Sequence, residues 1–214
     1  EIHHKKLIEY NLDILRQLGV DEIIIVTGYR KEAFEELTKD MKDMRLVYNP
    51  FYEMVNVLGS FYMGMRYLQE DFIYLHADTL CDPCILKKLA QFEADMNLPI
   101  DYKECDEEAM KVRSQEGKIV QITKKMPVEE AEGEFIGIAS FKKDIIPSLQ
   151  MAVEKLLEEK NFSEYFEAAI QKLLDEKKFS VCAIPMGDAF WAEIDFREDY
   201  DRAVACIPQY MYKE

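Results

Sequence analysis

The segment Glu22-Ile23-Ile24-Ile25-Val26 constrains this chain most, because the continuous apolar β-branched run of its last four residues is what a parallel strand covered on both faces requires. Before it, Leu7, Ile8, Leu12, Leu15 and Leu18 recur at helical spacing and Gly19 follows as a stop, so residues 5–18 read as an amphipathic helix. After it, residues 31–39 repeat the helical pattern through Phe34 and Leu37 and lead to a short strand over residues 45–48. Strand, helix and strand in this order form a βαβ unit with a right-handed connection, which points to an α/β architecture.

The alternation continues. Residues 56–68 read as a helix capped by Asn56, and residues 72–76 as a strand that runs out at Ala77-Asp78. Asp82-Pro83 opens a further helix, with Ile85, Leu86, Leu89 and Phe92 on one face. Residues 110–114 and 118–123 alternate in polarity about Glu116-Gly117, a hairpin pattern that makes the sheet mixed. A strand over 135–141, helices over 144–160 and 163–176, strands over 179–185 and 191–194 and a closing helix over 197–206 complete the chain. At 214 residues, with no internal repeat and no low-complexity linker, a single domain spanning residues 1–214 is expected.

Composition narrows the function. A content of 49% hydrophobic and 32% charged residues is that of a globular protein. No apolar run approaches membrane-spanning length and residues 1–10 are too polar for a secretion signal, so the expected compartment is the cytoplasm, with no membrane partner. The five cysteines are odd in number and scattered, which fits reduced thiols; Cys81-Asp82-Pro83-Cys84 has zinc half-site spacing but no second pair. A net charge of −15 argues against a nucleic-acid polymer as partner. It leaves room for a nucleoside triphosphate held through a divalent cation, since carboxylates bind Mg²⁺ and the metal binds phosphates.

Ligands of open α/β sheets sit beyond the carboxyl ends of the strands, and three places there carry polar side chains. Asp78 follows the strand over 72–76, where a turn or cap is its ordinary role. Asp195 ends the strand over 191–194 just before a helix, where N-capping is the ordinary role. Were their strands neighbours, the two would hold one divalent ion between them. The third place, Asn49-Pro50-Phe51-Tyr52 through Asn56 and Ser60, gathers aromatics, amides and a hydroxyl at a helix start.

With these residues assembled, the chain resembles the bacterial CTP:phosphocholine cytidylyltransferases and the related enzymes that activate aminoalkylphosphonates. The likeness lies in Leu18-Gly19-Val20-Asp21-Glu22 through Tyr29, Leu46-Val47-Tyr48-Asn49, the Asn56/Ser60 segment, Ala77-Asp78, Gly133-Glu134-Phe135-Ile136-Gly137, and Trp191-Ala192-Glu193-Ile194-Asp195 with Asp199-Tyr200. The resemblance implies a glycosyltransferase-A-like α/β fold of the nucleotide-diphospho-sugar transferase type, with a mixed, mainly parallel sheet and helices on both faces. It further implies that Asp78 and Asp195 bind Mg²⁺, that Lys124 contacts phosphate, and that Asn56, Ser60 and Glu134 neighbour the nucleotide or acceptor. The activity implied is transfer of CMP from CTP to phosphocholine or a related aminoalkyl phosphate or phosphonate, with release of pyrophosphate. Trp191 reads either as a wall for the acceptor's ammonium group or as a core residue.

Two departures accompany the resemblance. The family opens with a strand and a glycine-rich phosphate loop, whereas Glu1-Ile2-His3-His4-Lys5-Lys6 is similar to the stretch after that loop, so a chain truncated at its N-terminus is expected, with weak or no turnover. Val57 stands where the family usually has a second asparagine. Two alternatives remain: a sugar-1-phosphate nucleotidyltransferase on the same scaffold, and a catalytically silent domain that binds nucleotide or a partner, with Glu129–Glu134 as a solvated loop.

Overall fold

A computed structural model describes residues 1–116 and 118–213. The elements run α1 (Leu7–Gln17), β1 (Ile23–Thr27), α2 (Lys31–Thr38), β2 (Met44–Tyr48), α3 (Val57–Met65), β3 (Phe72–Leu75), β4 (Thr79–Cys81), α4 (Pro83–Leu89), β5 (Met96–Asp101), β6 (Lys111–Gln115) and β7 (Lys118–Thr123). They continue with β8 (Gly133–Phe135), β9 (Ile138–Phe141), α5 (Ile146–Glu158), α6 (Glu167–Glu176), β10 (Val181–Pro185), β11 (Trp191–Glu193) and α7 (Arg197–Cys206). This is the mixed α/β class that the pattern predicts.

The chain divides into two compact units. The first comprises Glu1–Gly19, Ile73–Phe141 and Ser180–Glu214 and contains a seven-stranded sheet in the order β3-β9-β5-β8-β6-β7, with β10 on the other edge of β5. β10 runs parallel to β5, whereas β8 and β9 both run antiparallel to it and β6 pairs antiparallel with β7 and β8, so this sheet is mixed but not mainly parallel as the resemblance implies. Sequence periodicity predicts one strand over 135–141; the structure has two, because Gly137 adopts φ +74 between them. β6 and β7 form the expected antiparallel pair, with a register shift between Arg113 and Ser114; Gly117 of the expected Glu116-Gly117 turn lies outside the described residues.

A second, smaller core in this unit supports β4 and β11. Ile2, Tyr10, Leu80, Ala192, Ala203 and Ile207 are buried together, and Leu7, Phe190, Ile194 and Tyr200 pack against them. Burying apolar area at roughly 25 cal/mol per Å² holds α1 and α7 against the β4–β11 ribbon. Asn11 of α1 adds a hydrogen bond from its amide to Thr79 O at 3.0 Å.

The second unit comprises Val20–Phe72 and Lys142–Phe179. β1 and β2 pair in parallel, as the βαβ reading requires. Ile24, Ile25 and Val26 keep partial exposure instead of the complete burial expected, since among the described residues only β2 pairs with β1. α3 lies against β1, where Gly64 permits close approach: a Cβ there would meet Val26 Cγ2 at 2.9 Å. Asn56 caps α3 as predicted, its Oδ1 accepting from Val57 N at 2.7 Å. Across the described residues, no helix is long and apolar enough to cross a membrane, and all five cysteines are free of disulfides.

Candidate functional site

Antiparallel pairing of two very short strands brings distant carboxylates together. β4 and β11 pair in the register Thr79↔Glu193, Leu80↔Ala192 and Cys81↔Trp191, and Ile194 N donates to Asp78 O at 3.1 Å just beyond the last pair. His76 is fixed on the same side of the ribbon, its backbone N–H donating to Gly137 O at 2.9 Å. Gly137 permits this close packing, as a Cβ there would lie 2.6 Å from His76 Nδ1 and force the ring to shift.

His76, Asp78 and Glu193 each offer one ligand atom, and these atoms lie within 4.8 Å of one another. Asp78 Oδ1 is buried without a hydrogen-bond partner, which a cation would supply. Burial pushes the Asp78 carboxyl above its ordinary range; the His76 charge opposes this and the Glu193 charge adds to it. Glu193 moves the other way, because its interaction with His76 Nδ1 (3.5 Å) outweighs burial. A buried oxygen with no partner beside a second ionised carboxylate therefore fits a divalent cation, and the carboxylates are hard donors suited to Mg²⁺.

Asp195 is exposed and is no member of this trio, yet it shares its field: burial raises its pKa first, and the charges of Glu193, Asp78 and Asp199 raise it further. Nor does it cap α7. Phe196 holds that position, and its N–H is taken by Asp199 Oδ2 at 3.0 Å, which leaves the Asp195 carboxylate out of the helix end. Lys124, just past β7, bears on the same cluster, since its charge lowers the pKa of both Glu193 and Asp195. Its backbone is anchored by buried Lys111, whose Nζ donates to Lys124 O at 2.9 Å.

Glu134 and Trp191 meet at a neighbouring cluster. Trp191 Nε1 donates to Asp101 Oδ2 at 2.9 Å, and Lys103 Nζ stands 4.6 Å from the indole centroid. The same ammonium pairs with Glu134 Oε2 at 2.9 Å and Asp101 Oδ2 at 3.1 Å. Burial lifts the Glu134 pKa, with Lys103 pulling it down and Glu193 pushing it up, so this cluster borders the carboxylates around Asp78. Asn56 and Ser60 belong to the second unit. There the Asn56 amide donates to Ser163 O at 3.1 Å, and Ser60 Oγ accepts from Asn49 at 3.2 Å.

Glu193, His76, Asp101 and Lys103 are the members that sequence patterning does not single out. A signal exists for one of them: Glu193 and Asp195 stand two residues apart at a strand end, the spacing that puts side chains on one face of an extended segment. His76 instead meets Asp78 across a turn, in which Thr79 N donates to His76 O at 3.3 Å.

Residues 1–106 match the MobA-like NTP transferase domain family. The chain is similar to the CTP:phosphoglutamine cytidylyltransferase of Campylobacter jejuni, 23% identical over 94% of this chain and 88% of that protein. It is also similar to the choline-phosphate cytidylyltransferase of Streptococcus pneumoniae, 36% identical over 34% of this chain and 31% of that protein. A solved CTP:phosphocholine cytidylyltransferase from Streptococcus pneumoniae superposes with a TM-score of 0.80 at 22% identity, covering 97% of this chain and 88% of that one. The inositol-1-phosphate CTP transferase of T. maritima does so with a TM-score of 0.75 at 23% identity, covering 99% and 82%.

Proposed function

We propose, for a chain that belongs over residues 1–106 to the MobA-like NTP transferases and is homologous to the CTP:phosphocholine and CTP:phosphoglutamine cytidylyltransferases, that it transfers CMP from CTP to a small phosphorylated acceptor. The acceptor class is phosphocholine or a related aminoalkyl phosphate or phosphonate, and the compartment is the cytoplasm. The observation that carries this reading is the convergence of His76, Asp78 and Glu193, with Asp195 in the same field, at the β4–β11 ribbon.

In this reaction an acceptor phosphate oxygen forms a bond to the α-phosphorus of CTP while the bond from that phosphorus to the β-phosphate bridging oxygen breaks, so pyrophosphate leaves in line and no covalent enzyme intermediate is needed. Asp78, with Glu193 and Asp195, would hold Mg²⁺, which when bound screens the two anions and stabilises charge on the departing oxygens. His76 orients Glu193 through its Nδ1. Lys124 contributes a fixed positive charge toward the phosphates, and the Lys111 bond to its carbonyl fixes the start of that side chain. Glu134 serves as a nucleotide or acceptor contact.

The test is release of pyrophosphate from CTP, assayed with Mg²⁺ and a panel of phosphorylated amino alcohols, aminoalkylphosphonates and sugar 1-phosphates. With a glycine-rich phosphate loop supplied, release that requires an amine-bearing acceptor, and that Asp78→Asn or Asp195→Asn nearly abolishes in folded protein, is the expected result. Full activity in either variant removes the metal assignment; a preference for sugar 1-phosphates replaces the acceptor class.

A further inference from the structure

Trp191 is the chain's single tryptophan, and its ring face is already taken. Lys103 Nζ lies over it and is held by two carboxylates whose side chains are only 21% and 15% exposed, Asp101 and Glu134. An aromatic face beside two poorly hydrated carboxylates is the chemistry that recognises a cation, and here an internal ammonium satisfies it. Burial works against the charge on Lys103, yet hydrogen bonding and attraction from Glu134 and Asp101 prevail and raise its pKa, so it stays charged at neutral pH.

We infer that Lys103 is a specificity-determining residue that fills the cation site of Trp191, Asp101 and Glu134 with its own ammonium and thereby excludes a quaternary ammonium group from it. The inference rests on the nucleotidyl-transfer reading for its bearing on substrate and narrows that reading: the acceptor carries no trimethylammonium group at this face. A quaternary ammonium has no N–H, so it cannot replace the hydrogen bonds that Lys103 donates to Asp101 and Glu134. Lys103 is also tethered to the chain, so it competes without the loss of translational freedom that a free ligand must bear. The cluster borders the carboxylates around Asp78, since Trp191 and Glu193 stand two residues apart on β11.

The single indole supplies the readout. Tryptophan fluorescence would be titrated with tetramethylammonium chloride against sodium chloride at equal ionic strength, in the wild type, Lys103→Ala and Lys103→Gln, with circular dichroism confirming each fold. Saturable binding in the variants, at least tenfold tighter than any in the wild type, is expected. Saturable binding of similar strength in the wild type, or none in either variant, overturns the inference. Because neither CTP nor turnover enters the measurement, a protein that never transfers CMP would defeat the functional proposal and leave this result standing, and the reverse also holds.

Discussion

Replacing Asp78 by asparagine separates function from stability. Its Oδ1 is buried without a partner, its carboxyl is held above its ordinary range by burial, and Glu193 and Asp195 lie in the same negative field. Leaving a buried polar group unsatisfied costs about 1–3 kcal/mol and more when the group is charged, so removing the charge while keeping the shape should stabilise the metal-free protein by about 1 kcal/mol. For a chain of this size that is a rise of about 2–4 °C in melting temperature. The wild type should respond to metal instead: a free cation at about 100 times its Kd contributes about 2.7 kcal/mol, or about 5–11 °C, and Asp78→Asn should lose most of that increment. Metal stabilisation of the transition state is worth several kcal/mol, so pyrophosphate release should fall by about 10²–10³ at about 1.4 kcal/mol per tenfold. Thermal denaturation with EDTA and with Mg²⁺, beside the pyrophosphate assay, reads all three. A variant that melts lower than the wild type in EDTA, or gains as much from Mg²⁺, refutes the reasoning.

Gly137→Ala should destabilise the protein by about 1–2 kcal/mol through its left-handed backbone at φ +74, and should displace His76, against whose Nδ1 the new Cβ would press; an unchanged melting temperature and unchanged Mg²⁺ response would sink this. Asp82 caps α4 through Cys84 N at 2.8 Å and accepts from the Tyr210 hydroxyl. Burial alone would raise its pKa, but these bonds prevail and lower it, so its stabilisation is complete above the unfolded-state carboxylate pKa and is lost as pH falls through the folded value. Asp82→Ala should therefore cost about 1 kcal/mol at pH 7 and flatten the acid limb of a stability–pH curve, whereas an unaltered acid limb contradicts it.

What could be read from sequence is what short-range chemistry dictates. α7 spans the expected residues 197–206, and Asn56 and Asp82 cap their helices, because an amide or carboxylate ahead of a periodic apolar run satisfies the same free amides wherever it occurs. β5 was hidden by its own composition. Pro99 argues against a central strand, yet β5 is paired on both edges. The resolution lies in its neighbours, for Pro99 falls between the segments paired with β9 (Met96, Asn97) and with β8 (Ile100, Asp101), where the partner chain is broken by Gly137. One glycine thus spares Pro99 a ladder partner on that edge and lets His76 approach. The site shows the same division. Asp78 is visible as a carboxylate at a strand end, but Glu193 becomes its neighbour only through a three-residue strand pairing that no periodicity announces. Lys103 is further still from view, since its partners Asp101, Glu134 and Trp191 come from three separate strands, which only the folded chain brings to one point.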